Sequence, residues 1–83
     1  MKIIDVRTKE EFDEEHLIDA VNLDVSEIAN GKLPDLPKDA PILLYCASGG
    51  RSAFAKQALE RAGFTNITNG GGLEGLKSQG FKV

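Results

Sequence analysis

Ile42-Leu43-Leu44-Tyr45 is the stretch that most limits what this chain can become. An apolar run of strand length with no polar alternation suits a strand covered on both faces, and such strands sit in parallel sheets with helices on either side. Three further segments have strand character: Ile3-Ile4-Asp5-Val6, Ala20-Val21-Asn22-Leu23 and Asn66-Ile67-Thr68. The connections between them, residues 7–20, 24–41 and 47–65, each exceed the roughly dozen residues that a parallel crossover requires. The expected fold is α/β, with a small, mainly parallel sheet of about four strands flanked by helices.

Helix signals fall inside those connections. Thr8 followed three residues later by Glu11 is a capping box that opens a short acidic helix through about Glu15, with Phe12 as its anchor on the core. Asp24 and Glu27 repeat the spacing, Val25 and Ile28 face inward, and Asn30-Gly31 supplies the stop. Between Ser52 and Ala62, the residues Ala55, Ala58, Leu59 and Ala62 recur at helical spacing, and Gly63 follows at the cap. Asn69-Gly70-Gly71-Gly72 reads as a turn into a terminal helix around Leu73 to Lys77. The Pro-rich stretch from Leu33 to Pro41 reads as one long surface loop, so the order is βαβαβαβα.

Size and composition narrow the function. Residues 1–83 suffice for a single domain, and 41% hydrophobic residues supply one modest core. Ten Lys and Arg stand against thirteen Asp and Glu, for a net charge of −3. No basic cluster exists to neutralise a row of phosphates, which argues against nucleic-acid binding. The longest run without charged or strongly polar residues, Ala40 to Ala47, contains Pro41 and falls far short of the roughly 20 residues that cross a bilayer. Neither a membrane span nor a signal peptide is expected. One Cys and one His can form neither an internal disulfide nor a four-ligand zinc site, so no metal is expected.

What remains for Cys46 is packing or reactivity. Free cysteine is among the most buried residue types, but Cys46 ends the central strand, where open α/β sheets place their sites. Ala47-Ser48-Gly49-Gly50-Arg51 then leads into the strongest helix. Two consecutive glycines let the backbone curl so that successive N–H groups face one concavity, with the free amides of the helix starting near Ser52 behind them. Those donors, with the charge of Arg51 nearby, favour thiolate over thiol and should lower the pKa of Cys46.

Cys46-Ala47-Ser48-Gly49-Gly50-Arg51-Ser52 resembles the active-site loop of the rhodanese family of sulfurtransferases, Cys-x-x-Gly-x-Arg-Ser/Thr. The resemblance extends over nearly the whole chain. Ile4-Asp5-Val6-Arg7 is similar to the family's Asp-Val-Arg strand end. Glu11-Phe12, His16-Leu17 and Ala20-Val21-Asn22 are similar to its Glu-Phe/Tyr, Gly-His-Ile and Gly-Ala-x-Asn elements, and Gly71-Gly72-Leu73 to its Gly-Gly turn.

The resemblance implies the three-layer rhodanese-like architecture, here shortened at the N-terminus, where many members carry an additional strand and helix. It also implies ping-pong chemistry. The Cys46 thiolate takes the outer sulfur of thiosulfate or a similar donor, sulfite leaves, and a thiophilic acceptor removes the sulfur from the resulting persulfide. The acceptor would be cyanide, a small thiol or a thiol protein. Residues Ala47, Ser48, Gly49, Gly50, Arg51 and Ser52 would form the binding loop, and Arg51, where mercaptopyruvate-using relatives carry a Thr-type ending, favours thiosulfate. Arg51 could contact the donor or simply brace the loop. No cofactor is implied, and a monomer in the cytoplasm is expected, or in the periplasm if a leader has been removed.

Two other readings stay open: a non-catalytic binding or regulatory module, and a small Cys-dependent phosphatase. Related phosphatases carry a loop one residue longer between Cys and Arg, which makes a wider ring for phosphate. Glu15, Asp19, Asp24 and Leu76 depart from the family pattern, in local turns more than at the nucleophile. His16 matches a family position usually thought structural, where a ring nitrogen bonds backbone. Asp5 and Arg7 are assigned to scaffolding, bracing backbone or pairing with charges such as Glu11. The acidic run from Glu10 to Glu15 reads as a solvated helix face. Gly70, Gly72 and Gly75 spell a dinucleotide-type pattern, but too little chain follows for the ribose-binding strand. The glycines at 70 to 72 are expected instead, in the rhodanese-like reading, to let the chain pass close to the Cys46 loop.

Overall fold

The computed structural model describes all 83 residues. Its elements alternate strictly: β1 (Lys2–Asp5), α1 (Lys9–Glu14), β2 (Val21–Asn22), α2 (Val25–Ala29), β3 (Ile42–Cys46), α3 (Gly50–Arg61), β4 (Ile67–Gly72) and α4 (Leu73–Ser78). The strands form one sheet in the order β2-β1-β3-β4, and every neighbouring pair is parallel. The apolar run thus does what its composition demands: β3 lies inside the sheet and all five of its residues are buried.

Successive strand side chains point to opposite faces, so β3 feeds two cores. Ile42, Leu44 and Cys46 join Ile4, Val6, Leu23 and Ile67 beneath Ile28 of α2 and Ala55 and Leu59 of α3. Leu43 and Tyr45 pack on the other side with Leu17 and with Leu73 and Leu76 of α4. A domain this small leaves both cores thin, and the polar scaffold between them carries correspondingly more of the specificity.

That scaffold begins at the end of β1. Asp5 and Arg7 are both buried, and they pair with each other rather than with Glu11. The Arg7 Nη2 reaches Asp5 Oδ2 at 2.7 Å, its Nε lies 3.0 and 3.1 Å from the two carboxylate oxygens, and its backbone N–H donates to Oδ1 at 2.9 Å. The same Nη2 donates to the Glu15 carbonyl at 2.6 Å, which pins the segment leaving α1. Glu11 is left free for another partner because a bidentate guanidinium–carboxylate fork at two residues' separation already satisfies Arg7.

Local signals are realised with three corrections. The Thr8–Glu11 capping box forms in full. Phe12, however, does not anchor α1 in the core: it is half-buried and stacks on His16 with ring centroids 3.7 Å apart, while buried Leu17 makes the core contact. Asp24 caps α2 by accepting from the Ser26 N–H at 2.9 Å, but Glu27 turns to Lys32 at 3.1 Å, so the second box is one-sided. Asn69 to Gly72 are strand rather than turn. Pairing with β3 continues to Cys46–Gly72 across a register irregularity, and this long-range ladder overrides the local turn preference of the glycines.

At the end of α3, the Gly63 and Phe64 N–H groups return to the carbonyls of Glu60 and Leu59, and Phe64 packs beside Leu59. No helix is long and apolar enough to cross a membrane.

Candidate active site

Cys46 is the last residue of β3 and is fully buried, while Ala47 and Ser48, which follow it, are exposed. α3 starts two residues earlier than its periodicity suggested, at Gly50, with Gly49 as its N-cap at φ 99°. A side chain at that φ would be strained, so glycine is what allows the chain to reverse here. The reversal brings the Gly49 N–H to 2.9 Å from Cys46 Sγ, and the first turn of α3 brings Ser52 Oγ to 3.5 Å from it.

Two influences on the sulfur oppose each other. Burial disfavours the thiolate, whereas hydrogen bonding from the Ser52 hydroxyl and from the amides of Ser52, Ser48 and Gly49 favours it. The donors win, and the pKa falls to about 7. Of the loop residues singled out by sequence, the structure brings Ser48, Gly49 and Ser52 to the sulfur, with Ala47 in the intervening turn and Gly50 opening α3.

Arg51 takes a different course. Its guanidinium forms a two-pronged pair with Glu11, Nη1 to Oε1 at 2.7 Å and Nη2 to Oε2 at 3.0 Å. Glu11 partners the guanidinium, so the lowering of the Cys46 pKa comes chiefly from hydrogen-bond donors, with the Arg51 charge acting on the sulfur in the same direction. In return the Arg51 fork, aided by Thr8, holds the Glu11 carboxyl at about 2 against the effect of burial. In this structure Arg51 braces the start of α3 against α1.

β4 forms the second wall. A Cβ built at Gly72 would overlap the Ala47 carbonyl oxygen and stand 3.3 Å from Ser48 Cα. Gly72→Ala should therefore push the loop off its position, costing about 1–3 kcal/mol of stability and slowing alkylation of Cys46 several-fold. Gly75→Ala is the control, because it meets nothing within 4 Å and sits inside α4, where alanine is favoured by up to about 1 kcal/mol. Denaturant midpoints and alkylation rates measured on both variants check this, and equal behaviour of the two would contradict it.

Sequence reasoning missed Asn69. Its Oδ1 accepts the Ser52 hydroxyl at 2.6 Å and the Gly71 N–H at 3.0 Å, while its Nδ2 donates to the Gly49 carbonyl at 3.3 Å. An asparagine before glycines reads as a turn residue, so no local signal marks it. His16 lies apart from the loop, its Nδ1 2.7 Å from the Phe12 carbonyl oxygen. No three His, Cys, Asp or Glu side chains come together as a metal site. A groove of about 400 Å³ lies between Lys2, Val21, Leu33 and Leu36 and shares no residue with the Cys46 loop.

A parallel α/β sheet with a cysteine at the end of a central strand, cradled by the turn into the next helix, defines a class of cysteine-centred domains. Comparison with known proteins narrows it. Residues 1–79 match the family described as the rhodanese-like domain. Over 74 residues the chain is 34% identical to the thiosulfate sulfurtransferase PspE of Escherichia coli K12, covering 88% of this chain and 71% of that protein. It is 37% identical over 82 residues to the protein YqhL of Bacillus subtilis, of which it covers 63%. A solved structure described as a rhodanese with anions from E. coli superimposes with a TM-score of 0.76 at 34% identity, covering 89% of this chain and 88% of that one. The chain belongs to the rhodanese-like domain family, and sulfurtransferases are among its relatives.

Proposed function

We propose that this domain is a sulfurtransferase that carries sulfane sulfur on Cys46, with thiosulfate or a similar anionic thiosulfonate as donor. The observation that carries this reading is the cradle itself. A buried sulfur receives the Gly49 N–H at 2.9 Å and lies 3.5 Å from the Ser52 hydroxyl, and neither of these partners is a general base. In the first half-reaction the thiolate attacks the outer sulfur of thiosulfate, the S–S bond breaks, and sulfite leaves with the bonding pair. The persulfide anion that remains keeps the same donors. A thiophilic acceptor such as cyanide then attacks the terminal sulfur, forming thiocyanate and restoring the thiolate. Neither step needs a proton moved, which suits a cradle of hydrogen-bond donors. Because Cys46 has no exposure, the structure must open locally before a donor reaches it.

That burial also favours a second reading, a binding module without turnover, in which Cys46 never meets a donor. The pH dependence of reaction separates the two. With a Cys46 pKa of about 7, kcat/KM for thiosulfate is expected to rise about tenfold per pH unit below 7 and to level off above it. A rate that keeps climbing to pH 8.5 or beyond, as an ordinary thiol would give at its roughly 8.5 pKa, would contradict the cradle's role. No transfer at any pH favours the binding module. The phosphatase reading gains no support, since only four residues separate Cys46 from Arg51.

A further inference from the structure

The Ser52 hydroxyl has one proton to give and three acceptors around it. Asn69 Oδ1 is nearest at 2.6 Å, followed by the Gly49 carbonyl oxygen at 3.1 Å and Cys46 Sγ at 3.5 Å. The amide orientation of Asn69 is fixed, because the Gly71 N–H can only donate and so must face an oxygen. We propose that Asn69 is a positioning residue for the reactive thiol: its amide oxygen draws the Ser52 hydroxyl away from Cys46 and thereby sets how readily that thiol ionises.

The argument follows the proton. While Cys46 is a thiol, its S–H donates to Ser52 Oγ and the hydroxyl passes the chain on to Asn69, so every donor is used. Once the sulfur is a thiolate it can only accept. Ser52 then stabilises it fully by turning its proton back, which gives up the shortest hydrogen bond in the site. Asn69 thus acts against the Gly49 amide, which always favours the thiolate. Its other contact works in the opposite sense, because Nδ2 steadies the Gly49 carbonyl. That bond is long, at 3.3 Å, and the Ala53 N–H already holds the same carbonyl at 3.0 Å, so the effect through Ser52 dominates.

The fold accounts for how Asn69 arrives there. β4 runs in register with β3 from Ile67 to Asn69, and because Ile67 packs in the core beneath α3, alternation turns Asn69 to the same side, where it meets the start of α3; the extra β4 residue comes after it, before Gly72. The charge that acts on the sulfur is Arg51 on α3, which in turn is bound by Glu11 on α1 and feels Asp24 at the start of α2. Asp5 and Arg7 at the end of β1 are tied to each other, and β4 carries no titratable group. All of these are common to the variants below.

The inference rests on Cys46 as the reacting sulfur, but its test reads ionisation and not transfer. The thiolate is followed by its ultraviolet absorbance against pH. The chain has one Cys, and burial pushes its one Tyr up to about 12, out of the way. Asn69→Ala is expected to lower the Cys46 midpoint by roughly half to one pH unit. In a Ser52→Ala background the same change should have no effect. Asn69→Asp keeps an acceptor oxygen for the Ser52 hydroxyl and adds a negative charge, and it should raise the midpoint, more so with Ser52 present than in the Ser52→Ala background. Circular dichroism reports folding, and the Asp variant decides the matter if the Ala variant unfolds. A midpoint that rises or stays put in Asn69→Ala, or shifts that are equal with and without Ser52, would overturn the proposal. Absence of sulfur transfer in the unmodified protein would overturn the proposed function and leave these shifts standing.

Discussion

Asp5→Ala is expected to be the most destabilising single change in this chain, costing about 3–5 kcal/mol and lowering Tm by about 15–30 °C. Asp5 has no exposure and holds the buried Arg7 guanidinium through three side-chain contacts at 2.7 to 3.1 Å. Removing the carboxylate leaves a positive charge with no counter-charge, in a place where water cannot replace it. The loss propagates, because Arg7 also secures the Glu15 carbonyl and so the exit of α1, the helix whose Glu11 braces Arg51. Natural domains are stable by only roughly 0.05–0.15 kcal/mol per residue, so a penalty of this size consumes much of the total here. Asp13→Ala is the comparison: its pair with Lys9 is mostly exposed, and its loss should leave the melting temperature nearly unchanged. Thermal melts of the two variants give the measurement, and similar values for both would show that the buried pair contributes little.

Cys46→Ala is expected to abolish sulfur transfer, by more than about a thousandfold, with the fold retained. The side chain lost is small, and although the Gly49 N–H loses its sulfur acceptor, the loop keeps the bonds among Gly49, Ser52 and Asn69. Stability should change by no more than about 1–2 kcal/mol. Cys46→Ser should be equally inactive, since a hydroxyl in this cradle does not ionise near neutral pH. Arg51→Ala should be milder in kcat, because the guanidinium faces Glu11 in this structure. Transfer assays read alongside thermal melts separate lost chemistry from lost fold, and a substantial residual rate in Cys46→Ala would remove Cys46 from the reaction.

Which features were legible in the sequence follows from the range of the interactions behind them. β3 was readable because double-sided burial forces an uninterrupted apolar run. The Thr8 cap was readable because both partners lie within one turn. The Cys46 loop was readable because its donors follow it consecutively in the chain. Partner choice across the molecule was not: Glu11 and Arg51 stand 40 residues apart, and nothing local distinguishes Glu11 from its acidic neighbours. The extension of β4 was hidden for a related reason. Asn69 to Gly72 have turn propensity, and only pairing with β3 makes them strand. Asn69 enters the site because β4 extends along β3 and alternation from Ile67 turns it toward α3, which its local turn propensity conceals. Phe12 misled because a lone aromatic on a short helix reads as a core anchor, whereas α1 ends too soon to bury it and His16 covers its ring.

Intact mass of the protein after incubation with thiosulfate, and again after cyanide, reads the carrier chemistry without assumptions about rates. The expected result is a gain of one sulfur atom, absent in Cys46→Ala and removed by cyanide with release of thiocyanate. A folded protein that shows no gain at neutral pH, or whose added mass survives both cyanide and the loss of Cys46, would contradict a persulfide carried in this cradle.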